Sequence, residues 1–295
     1  MTREPATPDT GPIVPAELEV HYAKLRDVVE SYGSMVVAYS GGVDSGLLAW
    51  VAHDVLGGRR ALPVIAVSPS LPQREKHAAL DFLLRHGIPW EEVATGEMAD
   101  ENYVKNNPDR CYFCKSELFV RLNRLAQSRG YACIAYGANV DDLGDYRPGA
   151  LAAREQRVVS PLVEAGLTKR RVRALARVLG LSLWDKPAAP CLASRIPYFD
   201  QVTGHKLEQI ERSENILKDL GFEVCRVRHH GETARIEVPR DEHERLLRDD
   251  NWARVVTELG RIGFRRVTLH GDGFRSGRLN QSLAPGRAAG GRGSD

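Results

Sequence analysis

The sequence predicts an α/β fold: a parallel-sheet domain with helical cover, followed by a smaller C-terminal α+β domain. Three observations carry this expectation. Short apolar runs alternate with helix-length segments through the first two-thirds of the chain. The order of elements changes from about Gln201, where helix, strand, strand, helix and strand follow one another. The 295 residues also suit two domains, at about 100–200 residues each. The expected boundaries are a flexible tail over 1–15, the sheet domain over 16–200, the smaller domain over 201–283, and a Gly- and Arg-rich tail over 284–295.

Each element has a local cause. Met35 to Tyr39 is an apolar run of strand length, broken by Ser40-Gly41-Gly42. The next segment places Leu47, Leu48, Val51, Ala52 and Val55 on one helix face until Gly57-Gly58 stops it. A second strand, Leu62 to Val67, precedes a helix from about Arg74 to His86. A third, Tyr131 to Tyr136, follows a helix from about Lys115 to Arg129. Strands joined by helices of this length belong to a parallel sheet. Beyond residue 200 the pattern predicts a helix over Lys206 to Leu220 and strands over Glu223 to His229 and Thr233 to Val238, joined through Gly231. A helix over Asp241 to Leu259 and a strand over Phe264 to His270 complete it.

Composition excludes several classes. With 42% hydrophobic and 27% charged residues, the chain reads as folded and soluble rather than disordered or collagen-like. Lys and Arg number 41 against 39 Asp and Glu, a net charge of +2, so no nucleic-acid partner is expected. No run approaches the roughly 18 apolar residues of a membrane span. The first fifteen residues carry Arg3, Glu4 and Asp9 and no apolar stretch, which argues against a signal peptide. A cytoplasmic protein without membrane association is expected. Five cysteines in such a chain point to metal or thiol chemistry rather than a disulfide framework.

Ser40-Gly41-Gly42-Val43-Asp44-Ser45 stands between the first strand and its helix. Two glycines let the backbone turn tightly, so that several N–H groups converge on one anion. The helix adds its positive dipole end, and the two serines add hydroxyl donors. A Walker A loop would place Lys-Ser/Thr after Gly46, where Leu47-Leu48 stand instead. The segment is therefore expected to be a phosphate loop of another kind. Asp44 within it would repel an anion unless it binds magnesium or orients a neighbour.

Cys111-Tyr-Phe-Cys114 follows Asn107-Pro108 and precedes the helix expected near Lys115. The i, i+3 spacing puts both sulfurs on one side, where the helix dipole lowers a thiol pKa. Half a zinc site, a redox pair and cluster ligands all fit. No second C-x-x-C follows to complete a structural zinc site. Cys191 lies in a proline-broken loop with Ser194 and Arg195 close behind, and a nearby cation favours the reactive thiolate. Cys133 and Cys225 fall within apolar runs and are expected to be buried and inert. Arg226 and Arg228 share one strand face, as do Arg235 and Glu237 on the next strand. Either a clamp for phosphate or carboxylate or a salt-laced sheet face would use them.

Ser40-Gly-Gly-Val-Asp-Ser45 after a first strand resembles the pyrophosphate loop of the ATP pyrophosphatase superfamily, whose members cleave ATP between its α and β phosphates and adenylate a substrate. Three further stretches narrow the resemblance: Gly137-Ala-Asn139-Val-Asp-Asp-Leu-Gly-Asp-Tyr-Arg-Pro-Gly149, Lys186-Pro187-Ala-Ala-Pro-Cys191-Leu-Ala-Ser-Arg195, and Gly273-Phe-Arg-Ser-Gly-Arg-Leu-Asn280. Over about residues 18 to 283 the chain resembles the LarE family, sulfur transferases that build the nickel-pincer nucleotide cofactor of lactate racemase.

The resemblance implies a PP-loop domain of adenine nucleotide alpha hydrolase, Rossmann-like type, with ATP and magnesium at Ser40, Gly41, Gly42, Val43, Asp44 and Ser45. It implies that Cys191 and Asp44 are catalytic, and that Ser194, Arg195, Glu214, Arg226 and Arg228 hold the substrate. That substrate would be a small-molecule nucleotide, pyridinium-3,5-biscarboxylic acid mononucleotide. Its carboxylates would become thiocarboxylates through an acyl-adenylate, releasing AMP and pyrophosphate. The sulfur would come from Cys191 itself or, the favoured branch, from sulfide on a [4Fe-4S] cluster held by Cys111, Cys114 and Cys191. A homo-oligomer, a hexamer in the family, is implied too. Three alternatives stand. A tRNA thiolase would need a basic surface or an added RNA-binding module. An amidating enzyme like NAD or GMP synthetase would leave the three cysteines without a task. A non-catalytic nucleotide-binding module would bind ATP without releasing pyrophosphate.

Overall fold

A computed structural model describes residues 14–144 and 148–274. Both expected tails lie outside the described residues, except for Val14 and Pro15, which lead into the first helix. The chain forms two compact units. Among the described residues the first comprises 14–68, 73–96 and 111–189, and the second comprises 69–72, 97–110 and 190–274. Two short excursions thus join the smaller unit, which begins at Pro190.

The first unit opens with α1 (Ala16–Ser31), β1 (Met35–Tyr39), α2 (Val43–Leu56), β2 (Ala61–Val67), α3 (Gln73–Arg85) and β3 (Glu91–Ala94). Within the second excursion lies the short α4 (Glu101–Val104), followed by α5 (Arg110–Arg129), β4 (Cys133–Tyr136), α6 (Pro148–Glu155), α7 (Pro161–Glu164) and α8 (Lys169–Val178). The four strands form one parallel sheet in the order β3-β2-β1-β4. Central β1 is buried at all five positions, as a parallel strand covered on both faces requires. Val36, Ala38, Leu62, Val64 and Ile134 of the sheet share a core with Leu118, Phe119 and Leu122 of α5. Helix α2 packs on β1 and β2 and against α1 and α8.

Three expectations need correction here. A strand missing from the sequence reading, β3, lies at the sheet edge. Its only bulky apolar residue is Val93, and its glutamates find cations instead, Glu92 with Lys76 at 2.6 Å and Glu91 with Arg129. The expected third strand is therefore the fourth, shortened to Cys133–Tyr136. Helix α5 starts at Arg110 rather than near Lys115, because the chain turns at Asn107-Pro108, with Arg110 N–H donating to Asn107 O. Cys111 and Cys114 accordingly stand inside its first turns.

The second unit contains α9 (Gly204–Asp219), β5 (Arg226–His230), β6 (Thr233–Glu237), α10 (His243–Leu247), α11 (Asp249–Ile262) and β7 (Arg266–Leu269). β5 and β6 are antiparallel, and β7 joins β6 in parallel. Leu217, Phe222, Val227, Ile236, Leu246, Val255 and Leu259 build its core. The single helix expected over Asp241 to Leu259 is broken at Arg248, whose ψ of 138° is extended. Asn251 Nδ2 bridges the break to Arg245 O at 3.0 Å. Among the described residues no helix is long and apolar enough to cross a membrane.

His229 gives this unit a pH dependence. It is 4% exposed and stacks on Phe264, with Nε2 3.0 Å from Gln209 Oε1. Burial, helped by nearby Lys206, pushes its pKa down to about 4 from 6.5, with Asp200 opposing and His205 adding to the shift. Between about pH 6.5 and about pH 4 the unfolded chain binds a proton that the folded unit refuses, so stability falls as pH falls through this window. Replacing His229 with Gln should flatten the acid side of the Tm–pH curve relative to wild type. Parallel curves would refute this account.

Candidate functional site

The candidate phosphate loop, Ser40 to Ser45, follows β1 directly. Gly41 adopts φ +72°, and a Cβ there would meet Ala79 Cβ at 2.6 Å, so both the turn and the approach of α3 require glycine. Gly42 caps α2 with no side-chain hydrogen bond, and helix geometry leaves the next N–H groups without intrahelical partners. Those donors and the dipole end suit an anion. Ser40 and Ser45 brace the turn: the hydroxyls lie 3.0 Å apart, Ser40 N–H donates to Ser45 Oγ at 3.2 Å, and Ser45 O–H donates to Gly42 O at 3.2 Å. Val43 is buried, which turns the helix start into the core.

Asp44 is not left to repel the anion. Its Oδ2 pairs with Lys169 Nζ, and its Oδ1 accepts from Asn139 Nδ2 at 3.1 Å. Asn139 reaches it because Gly137 passes tightly over the start of α2; a Cβ at 137 would lie 2.6 Å from Ser45 N and 2.8 Å from Ser45 Cα. Lys169 is the first residue of α8, capped by Thr168 and followed by Arg170 and Arg171. Cations there oppose the helix dipole, and the pairing with Asp44 offsets that penalty. A second lysine, Lys186, donates to Gly41 O at 3.0 Å and pairs with Glu75 at 2.9 Å. Sequence reasoning missed both lysines as site residues. The misplaced positive charge at the start of α8 is the available signal for Lys169; for Lys186 it is its place at the head of the Lys186–Arg195 stretch that carries the family resemblance.

In the second unit Cys191, half-buried, caps a short 3-10 turn over Leu192–Arg195. Arg195 is buried under it. Its Nε and Nη2 donate to Glu214 Oε1 and Oε2 at 2.8 and 2.9 Å, and its Nη1 donates to Pro190 O, Cys191 O and Ser194 Oγ at 2.6, 3.1 and 3.0 Å. Burial works against the guanidinium charge, but the Glu214 carboxylate more than compensates and raises its pKa. Glu214 also accepts from Val227 N–H at 3.0 Å. Arg195 and Glu214 thus hold the Cys191 turn.

Arg226 and Arg228 do lie two apart on β5, opposite Glu237 and Arg235 of β6 respectively. Arg228 donates to Glu237 Oε2 at 3.0 and 3.1 Å and to Ser194 O at 2.8 Å. Arg226 donates to Cys225 O at 2.7 Å and lies 5.2 Å from the Phe274 ring centre. Burial first, then Arg195, lowers the Arg226 pKa. Arg195 pairs with Glu214 and Arg228 with Glu237, and Arg226 stands beside them on β5, a cationic group of the kind that suits an anionic substrate.

The other cysteines separate as expected in kind. Burial pushes the Cys225 thiol up to about 12 and the Cys133 thiol to about 11, the latter with help from Glu164, so both stay protonated and unreactive. Cys133 is half-buried rather than fully so, because it opens β4. Cys111 is exposed and Cys114 half-buried. Among the described residues no three His, Cys, Asp or Glu side chains gather as ligands of one metal ion. Cys111 and Cys114 belong to the first unit and Cys191 to the second, so neither unit by itself contains all three of the expected cluster ligands.

A parallel 3-2-1-4 sheet whose central strand ends in a glycine-turned phosphate loop defines an enzyme of the adenine nucleotide alpha hydrolase type. The NAD synthase family model matches residues 17–143. Pyridinium-3,5-bisthiocarboxylic acid mononucleotide synthase of Lactiplantibacillus plantarum is 36% identical over 274 residues, 93% of this chain and 99% of that protein. Uncharacterized protein slr1717 of Synechocystis sp. is 44% identical over 264 residues, 88% of this chain and 98% of that protein. An NH(3)-dependent NAD(+) synthetase of Pyrobaculum aerophilum is 28% identical over 190 residues, 58% of this chain and 69% of that protein. The chain belongs to the NAD synthase-like PP-loop ATP pyrophosphatase family, and its similarity to the Lactiplantibacillus synthase runs the length of that protein. ATP use follows from that family.

Gly137→Ala tests the loop's architecture. Overpacking of about 1–3 kcal/mol at Ser45 should raise the KM for ATP by about tenfold to a hundredfold, with the Tm of the second unit unchanged. An unaltered KM would show that the approach of Gly137 does not shape the phosphate site.

Proposed function

We propose that the protein is an ATP-dependent sulfur transferase that converts carboxylates of pyridinium-3,5-biscarboxylic acid mononucleotide to thiocarboxylates. The observation that carries this reading is the Cys191 turn, held by Arg195 and Glu214 beside Arg226 and Arg228. It lies beyond residue 143, where the match to NAD synthase ends, and within the similarity to the Lactiplantibacillus synthase.

ATP would enter with magnesium as part of the substrate, and Asp44 is the carboxylate of the loop able to meet the cation. A substrate carboxylate attacks the α-phosphate, and pyrophosphate leaves into the N–H groups at the start of α2. The resulting acyl-adenylate is activated because AMP is a good leaving group where oxide is not. Arg195, Arg226 and Arg228, beside the carboxylates Glu214 and Glu237, meet the substrate's remaining negative charge. The Cys191 sulfur then displaces AMP to form a thioester. Removal of the Cα proton forms the Cα–Cβ double bond as the Cβ–S bond breaks, and the thiocarboxylate departs with the sulfur. Cys191 is left as dehydroalanine.

A second reading, amidation by ammonia as in an NAD synthetase, is favoured by the family match over 17–143. Both readings share the adenylation step and differ in the nucleophile. Incubation of the anaerobically purified protein with ATP and the dicarboxylate nucleotide should yield AMP and pyrophosphate in equal amounts. It should also yield thiocarboxylate, with a protein mass loss equal to one molecule of hydrogen sulfide that disappears in Cys191→Ala. Amide formed only when ammonia is added would establish the second reading instead. About four irons per chain, lost in Cys111→Ala and accompanied by no mass loss, would assign the sulfur to a cluster. Absence of AMP and pyrophosphate would end both readings.

A further inference from the structure

The Cys191 turn rests on a second support that none of the site assignments includes. Asn106 and Arg110, both in the second unit, are 0% and 4% exposed. Arg110 Nη1 donates to Ala193 O at 2.9 Å, two residues beyond Cys191, and also to Asn106 Oδ1. Asn106 Nδ2 donates to Pro197 O at 2.7 Å and Asp200 O at 2.9 Å, with Ile196 O at 3.4 Å. The backbone of the same excursion reinforces this, since Phe199 N–H donates to Asn106 O at 3.1 Å and Val202 N–H to Val104 O at 2.9 Å. At the start of the turn Leu192 N–H donates to Ser70 O at 2.8 Å, and Ser70 Oγ lies 2.5 Å from Tyr103 OH.

Two features set this arrangement apart from ordinary packing. Asn106 sits at φ +57°, the left-handed region that few residues other than glycine and asparagine occupy. Its amide ties together the carbonyls of Pro197 and Asp200, at the two ends of the bend that follows the turn. Arg110 brings a guanidinium into the interior, which costs several kcal/mol of desolvation, where an apolar side chain would fill the space at less cost. A planar fork with fixed directions does what an apolar group cannot: it sets the orientation of the Ala193 carbonyl. Arg195 holds Pro190 O and Cys191 O from one end of the turn, and Arg110 holds Ala193 O from the other.

We infer that Asn106 and Arg110 are positioning residues for sulfur delivery, fixing the turn so that the Cys191 thiol is presented in one direction. The inference rests on the sulfur-transferase reading above for its consequence, and on the geometry of the turn for its cause. Neither residue touches substrate; both act through the backbone of 191–200. Misplacing a reacting atom by about 1 Å can cost on the order of a hundredfold. Because neither side chain belongs to the Ser40–Ser45 loop, their loss should change ATP turnover by no more than about twofold.

The test uses the full-length protein with Arg110→Met, Arg110→Lys and Asn106→Asp. Two readouts are taken: thiocarboxylate formed per AMP released, and the rate of alkylation of Cys191 by iodoacetamide, with Cys111 and Cys114 as internal references in the same peptide map. In Arg110→Met, thiocarboxylate per AMP should fall roughly tenfold to a hundredfold while AMP release stays within about twofold. Alkylation of Cys191 should accelerate relative to Cys111, with Arg110→Lys intermediate. Asn106→Asp keeps the acceptor to Arg110, removes the amide donors, and should show the same pattern if Arg110→Met does not fold. Unchanged alkylation and an unchanged product ratio in a folded variant would overturn the inference, as would a parallel loss of AMP release and Tm. If wild type makes no thiocarboxylate, the sulfur-transferase reading fails, and the alkylation comparison still decides the positioning role.

Discussion

The shape of the Ser40–Ser45 loop depends on how closely the chain leaving β4 can pass over the start of α2. With a Cβ at position 137 the nearest atom would be Ser45 N at 2.6 Å, followed by Ser45 Cα and Asp44 C. These are backbone atoms that cannot rotate away. Only glycine permits the approach, and the approach brings Asn139 onto the Asp44 carboxylate. From this follows the resolution of an electrostatic conflict: an acid inside an anion loop is tolerable because Lys169 and Asn139 already hold it. Gly41, forced to positive φ and pressed on Ala79, closes the same loop from the α3 side.

Both units use buried or half-buried ion pairs to hold functional backbone, and magnitudes separate these from the surface pairs. The Arg195 and Glu214 side chains are 3% and 4% exposed, and removing one partner of such a pair costs about 3–5 kcal/mol by stranding the other charge. Exposed helix pairs such as Arg248–Glu244 contribute about 0.3–0.5 kcal/mol. The buried pairs therefore decide where the Cys191 turn lies, while the surface pairs barely affect it. Because Glu214 is engaged with Arg195 and Val227 N–H together, the turn and strand β5 are tied to one carboxylate. Glu237 likewise receives Arg228, whose other end holds Ser194 O.

Much of this was legible in the residues and some was not, for identifiable reasons. β1, α2 and the loop between them are local: an apolar run, two glycines and an amphipathic segment are read within about twenty residues. β3 carries no such pattern, because an edge strand with two glutamates is stabilised by Lys76 and Arg129 from α3 and α5. The start of α5 is not legible locally, because Arg110 is a charged residue after a proline turn, although its side chain is buried. The period of a strand places Arg226 and Arg228 on one face, whereas the carboxylate answering Arg228, Glu237, sits diagonally across the β5–β6 pair and is visible only in the folded side chains.

The sequence by itself determined the fold class, because hydrophobic period and turn residues act over short stretches; it marked the Ser40–Ser45 loop and Cys191 as candidates by backbone freedom and residue type alone. The tertiary structure alone decided which charges are satisfied and by whom. Lys169 meets Asp44 across 125 residues, Lys186 meets Gly41 across 145, and Arg110 meets Ala193 across 83. No local pattern encodes such separations. They arise when the parallel sheet sets the ends of its strands side by side and the smaller unit folds its excursion under the Cys191 turn, and only then does a buried charge acquire the partner that makes its burial tolerable.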